Sequence, residues 1–302
     1  RMLEAGRDDQ LAHFIVDETR LSAVVDEVVR VTRANYPDLK VPLHSRMGHF
    51  GAARVEALRE PLDPARWPAV ALDLVLISVL LDAGAGPAWR FEDRVTGQVV
   101  ARSEGLAVAS LRAFERGLCS ADPHDPLRVD AEALAAVGAE ALAAAFDVRE
   151  DNPLVGVAGR VALLHGLAEA LKQPAWFPGA RPSGLLTALG GAGESVAAAT
   201  VLEAVLHGLA DIWPGRQSLH GHNLGDVWPH PAAGGSGATA GLVPLHKLSQ
   251  WLTYSLVEPL RWGGLQITAL DGLTGLAEYR NGGLFVDLGL LRPREPAVLT
   301  HP

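Results

Sequence analysis

From Pro68 to Asp82 the chain is apolar on nearly every side, with Leu72, Leu74, Val75, Leu76, Ile77, Val79, Leu80 and Leu81 leaving no polar stripe between them. A helix of this kind cannot face water along its length and must lie among other elements of a core. Gly84 supplies its stop. Asp73 and Ser78 break the run, and it is shorter than the ~20 apolar residues a bilayer demands. A carboxylate in such surroundings is costly unless answered, so Asp73 and Asp82 each require a partner or a cavity.

Other segments read as helices punctuated by glycine and proline. Leu21, Val24, Val25, Val28 and Val31 fall at helical spacing and stop at Asn35-Tyr36-Pro37. Ser103 is placed to cap a helix running to Gly117, and Asp130 another rich in alanine and leucine. Further helices are expected at about 154–171 and 194–212. Thr96-Gly97 between Trp89-Arg90-Phe91 and Gln98-Val99-Val100-Ala101 predicts a hairpin over about 89–101, and 283–291 a short strand. Gly234-Gly235-Ser236-Gly237 is a loop whose flanks look alike. The expectation is one mainly helical domain over 1–302 with a small β-element, without internal repeats or heptads.

A chain of 302 residues that is 48% hydrophobic can bury a large core. Its net charge of −9 and lack of a Lys/Arg-rich run argue against a groove that tracks nucleic-acid phosphates. Cys119 stands alone, which excludes an internal disulfide and a thiolate metal site and fits a reduced, cytoplasmic setting. No secretory signal follows Arg1, and a start without methionine suggests a trimmed N-terminus. Glycine-rich nucleotide loops, nucleophile elbows and zinc motifs are absent, so no cofactor and no metal is expected.

Polar residues that could carry chemistry gather in two C-terminal segments, 244–258 and 271–287. On a helix over the first, Lys247, Gln250, Tyr254 and Glu258 lie opposite Leu245, Leu248, Leu252 and Leu256, with Trp251 adjacent. That face fits a solvated surface and a cleft lining equally well. In the second, Asp271-Gly272 reads as a helix start and Asn281-Gly282 as its stop, which puts Glu278, Tyr279 and Arg280 in the last turn. A buried glutamate there would be held more readily protonated, as suits a general acid or base; an ordinary surface pair with Arg280 is the plainer reading. His44, Ser45, Arg46 and His49 cluster at a loop-to-helix junction, where Arg46 and His49 could hold an oxyanion or pin the loop. The loop with His220, His222, Asp226, Trp228 and His230 lacks tight ligand spacing.

Several blocks together carry a resemblance: Val41-Pro42-Leu43-His44-Ser45-Arg46, Gly86-Pro87-Ala88-Trp89-Arg90-Phe91, Arg102-Ser103-Glu104-Gly105-Leu106-Ala107 and the two C-terminal segments. Along nearly its whole length the chain resembles a family of formerly unknown function tied to uracil catabolism in fungi and bacteria. A more distant similarity covers the C-terminal third. Lys247 to Gln250 and Leu273-Thr274-Gly275-Leu276-Ala277-Glu278-Tyr279-Arg280 are similar to a Lys-x-x-Gln helix and a Leu-Thr-x-Phe-Ala-Asp-Tyr-Arg block of queuosine-salvage nucleoside glycosylases. This sequence departs from them at Glu278, where they carry aspartate, and at Ser255, where they carry another.

These resemblances imply a helical enzyme similar to helix-hairpin-helix glycosylases, acting on a nucleoside- or nucleotide-derived small molecule. The implied reaction is hydrolysis of the N-ribosidic bond of a ribosylurea-type intermediate, with its 5′-phosphate the preferred form. Glu278 would be the catalytic carboxylate and Asp271 its substitute. Lys247, Arg280 and Arg46 would bind phosphate or sugar oxygens, and Gln250, Trp251 and Tyr254 would read the ureido group, with Tyr279, His44 and His49 completing the site. An amidohydrolase attacking the ureido carbon and a non-catalytic uracil-nucleotide-binding protein are the alternatives. Neither nucleic acid nor membrane is an expected partner.

Overall fold

The computed structural model describes residues 1–213, 217–276 and 278–300, apart from the Tyr279 side chain. Among these the protein is mainly α, with thirteen α-helices and short strands paired two by two. The chain divides into two compact units. One comprises Arg1–Leu43, Asp226–Leu245 and Gly275–Pro302; the other comprises His44–Gly225 and His246–Thr274.

In the first unit, strands Phe14–Val16 and Leu291–Pro293 pair antiparallel, so residues near the two ends of the sequence share a ladder. Strands Val227–Pro229 and Leu242–Pro244 form a second antiparallel pair. The Leu21–Asn35 helix follows the expected spacing, although only Val24 of it is buried. The 283–291 segment differs from expectation. Leu284, Phe285 and Val286 belong to the Tyr279–Asp287 helix, and the strand begins only at Leu291. A short apolar run does not by itself distinguish strand from helix.

The second unit is built around the Trp67–Leu80 helix, whose residues from Val70 to Leu80 are all buried. The Arg102–Glu115 and Lys247–Trp262 helices pack against it. Asp73 is answered from three directions: Val129 N–H donates to it (3.1 Å), Ser183 N–H donates (2.8 Å) and Arg181 forms an ion pair. Cys119 is buried, and burial with the neighbouring Asp73 charge pushes its thiol up to about 12. The hairpin forms as Phe91–Asp93 with Gln98–Val100. Strand Ser195–Ala197 pairs parallel with Gln266–Thr268 and leads into the Ala198–Gly208 helix, where a continuous helix over 194–212 was expected. Among the described residues no helix is long and apolar enough to cross a membrane.

Two capping expectations change. The Arg102–Glu115 helix begins one residue before Ser103, and the carbonyl of Ser103 accepts from Arg46 instead (3.3 Å). Asp130 does precede the Ala131–Ala136 helix, but its carboxylate takes Ala121 N–H and Arg128. Gly105, in the first turn of the Arg102–Glu115 helix, allows close packing. A Cβ there would stand 2.9 Å from Trp89 Cζ3 and 3.2 Å from the Val100 carbonyl. Trp89 cannot retreat, since it is fully buried and its indole N–H donates to Phe146 O (3.0 Å). Gly105→Ala should therefore destabilise by about 1–3 kcal/mol despite alanine's better helix propensity. A denaturant midpoint equal to wild type would contradict that packing.

Candidate functional site

The His44-Ser45 loop and the Arg46–Phe50 helix rest against the Lys247–Trp262 helix within the second unit. The ring of His44 lies 4.7 Å from that of Trp251, centroid to centroid, and the ring of His49 lies 5.5 Å from it. The two imidazoles meet edge to face at 5.4 Å. Polar contacts hold the same seam. Arg46 N–H donates to Ser255 Oγ (3.0 Å), and Ser45 Oγ donates to the Glu258 carboxylate. Three of the expected site residues thus form one aromatic wall.

Arg46 lies behind it, fully buried. Its Nε donates to Ser78 Oγ (2.7 Å), and Nη1 donates to Asp82 Oδ2 (2.8 Å) and to the Ser103 carbonyl. Ser78 Oγ lies 2.6 Å from Ser110 Oγ, and Ser110 donates onward to Ala107 O (2.8 Å). With Arg46 as the first donor, protons point one way along this chain. Burial lowers the Arg46 pKa to about 10, against the pull of Asp82 and Glu104. The guanidinium therefore stays charged at neutral pH, balanced by Asp82. Burial, then the Arg46 charge and His44, lowers the proton affinity of His49, with Asp82 and Glu104 opposing. His49 is accordingly neutral near pH 7.

Gln250 and Tyr254 both engage Thr274. Gln250 Oε1 accepts from the Thr274 N–H (3.2 Å) and hydroxyl (2.8 Å), and Tyr254 OH donates to the Thr274 carbonyl (3.0 Å). Both therefore hold the start of the Thr274-Gly275-Leu276 segment. Lys247 is exposed in the first turn of its helix, which begins there and not at Pro244. Asp271 is exposed in a 3-10 turn, Leu270–Gly272, and starts no α-helix.

In the first unit Glu278 is the N-cap of the Tyr279–Asp287 helix, not a residue of a last turn. Its carboxylate accepts from Arg280 N–H and lies 3.5 Å from Arg280 Nε, with the side chains 35% and 76% exposed. The expected proton-holding effect of a helix C-terminus consequently has no basis here. Asn281 and Gly282, expected as a helix stop, lie inside the Tyr279–Asp287 helix. The side chain of Tyr279 lies outside the described residues.

Ser45, Ser78, Asp82, Ser255 and Glu258 carried no assigned role in the sequence, yet they fasten this seam. One signal was available: Asp82 needed an answering charge and Arg46 is that charge. Among the described residues no three His, Cys, Asp or Glu side chains are grouped to hold a metal ion. An open cleft of about 540 Å³ elsewhere in the second unit is lined by Asp122, Arg128, Asp130, Glu132 and Lys172 among others, and by no expected site residue. Its cations are largely spoken for, Arg128 by Asp130 and Lys172 by Glu169.

A mainly helical protein with a histidine–tryptophan wall over a buried, balanced guanidinium is the class these features define. The chain belongs to the family described as "Protein of unknown function (DUF1688)", which it matches over residues 1–301. Among its relatives, Protein urg3 of Schizosaccharomyces pombe (strain 972 / ATCC 24843) is 39% identical over 309 residues, covering 97% of this chain and 74% of the relative. Uracil catabolism protein 4 of Lachancea kluyveri is 36% identical over 310 residues, covering 94% and 71%.

Proposed function

We propose that this protein acts in uracil catabolism as an N-ribosyl hydrolase, cleaving ribosylurea 5′-phosphate with water to urea and ribose 5-phosphate. The pathway is suggested by the name of the Lachancea kluyveri relative. The observation that carries the reading is the wall of His44, His49 and Trp251 over Arg46. It offers flat faces and hydrogen-bonding groups suited to a planar polar moiety.

Breaking the C1′–N bond leaves positive charge on the sugar ring, which a carboxylate stabilises while orienting water. Glu278 takes that role, with Asp271 as substitute. Lys247 and Arg280 bind phosphate oxygens. The ureido nitrogen leaves with a proton, and the hydroxide equivalent of water joins C1′.

The test is product analysis with the purified protein and synthetic ribosylurea 5′-phosphate. Urea and ribose 5-phosphate in equal amounts are expected. Ammonia and carbon dioxide would show an amidohydrolase instead. Tight binding without turnover across uracil, uridine, uridine monophosphate and ribosylurea would make the protein a carrier.

A further inference from the structure

We propose that Arg46 and His49 form the subsite for an uncharged ureido group, Arg46 Nη2–H donating to its carbonyl oxygen and His49 Nδ1 accepting from one of its N–H groups. This rests on the hydrolase reading above and names the group by which that site selects its substrate.

Two atoms carry it. Arg46 Nη2 and His49 Nδ1 are both buried, and neither has a hydrogen-bond partner among the described residues. Buried polar groups are ordinarily paired, and this unmet donor and unmet ring nitrogen lie three residues apart on one short helix. The two side chains are close enough for the charge of Arg46 to lower the proton affinity of His49. A guanidinium only donates, whereas a neutral imidazole has one accepting nitrogen. A ureido group presents the matching set, a carbonyl acceptor with N–H donors in one plane, and its flat face suits the adjacent Trp251 ring.

An anion fits poorly. The charge of Arg46 is already balanced by Asp82 at 2.8 Å, and the exposed Glu104 acts on both Arg46 and His49. A phosphate there would meet two carboxylates and an imidazole kept neutral. The oxyanion role expected for Arg46 and His49 is therefore replaced by recognition of a neutral amide-like group. Gln250 and Tyr254, the sequence's choice for that task, are held by Thr274. Both subsite atoms are sealed from solvent.

The experiment uses the whole chain with methylurea as probe, followed by calorimetric titration, with inorganic phosphate and acetate as controls. Wild type should bind methylurea. His49→Leu should weaken that binding at least tenfold and raise KM for ribosylurea 5′-phosphate more than it lowers kcat, whereas His49→Gln, which keeps an accepting oxygen, should recover part of both. Thermal melts of the variants exclude misfolding. Absence of methylurea binding, binding unchanged in His49→Leu, or displacement of methylurea by phosphate or acetate would overturn the subsite. Urea release with KM untouched by His49→Leu would overturn the subsite while leaving the hydrolase standing. His49-dependent methylurea binding without any urea release would do the reverse.

Discussion

Glu278→Gln is expected to cut urea release from ribosylurea 5′-phosphate by about a thousandfold or more while leaving the melting temperature unchanged. The substitution keeps size and shape and removes the charge that would face the developing oxocarbenium ion. A thousandfold loss corresponds to about 4 kcal/mol of transition-state stabilisation. The fold should tolerate the change. Glu278 caps its helix through a 3.5 Å contact with Arg280 N–H, which an amide oxygen can also accept, and its pair with the exposed Arg280 adds little. Turnover equal to wild type would remove Glu278 from the mechanism. Loss in Asp271→Asn instead would move the role to the exposed turn at Leu270–Gly272.

The largest stability effect is expected at Asp93, whose carboxylate is fully buried. It accepts from Arg54 Nε (2.7 Å), Arg112 Nε (2.9 Å) and Nη2 (3.0 Å), and the Thr96 hydroxyl (2.9 Å). It thereby ties the Ala52–Arg59 helix, the hairpin and the Arg102–Glu115 helix together. Asp93→Ala takes the carboxylate from Arg54 and leaves Arg112 to its pair with Glu115, with the two cationic side chains 13% and 12% exposed, a change that costs about 3–5 kcal/mol. Burial alone would push the Asp93 carboxyl up, but Arg112, Arg54 and Thr96 hold it well below the usual carboxylate range. A folded-state value below the unfolded one means the stabilisation is present above about pH 4 and is lost as pH falls towards the folded value. Chemical denaturation at neutral pH and near pH 3 should show wild type losing stability on acidification more steeply than Asp93→Ala. Equal slopes would argue that the charge of Asp93 contributes nothing.

Much of the architecture could be read in advance because local signals agreed with tertiary context. A run without any polar stripe had to be central, and the helix at Trp67–Leu80 is. Thr96-Gly97 located the hairpin because that turn needs a residue tolerant of positive φ, and Gly97 sits at φ 71°. The C-terminal helix was misread for the opposite reason. Asn281-Gly282 looks like a stop, glycine disfavouring helix by about 1 kcal/mol relative to alanine, and yet both residues lie within it.

The site divides similarly. His44, His49 and Trp251 were chosen as polar and aromatic residues flanking helices, and they meet in space. The burial of Arg46 was not legible, since Ser78, Asp82 and Ser103 answer it from 32, 36 and 57 residues along the chain. Gln250 and Tyr254 look like ligand readers from helix spacing alone; only the position of Thr274 reveals that they are occupied.

The relay from Arg46 through Ser78 and Ser110 to Ala107 O has a bearing on how such a protein could diversify. Removing the Ser110 hydroxyl would leave Ser78 without its acceptor and loosen the guanidinium two links away, although Ser110 lies on a helix that carries none of the three rings. Tolerance to drift should consequently be low at Arg46, which can change only in concert with residues on two helices and with Asp82 just beyond one of them.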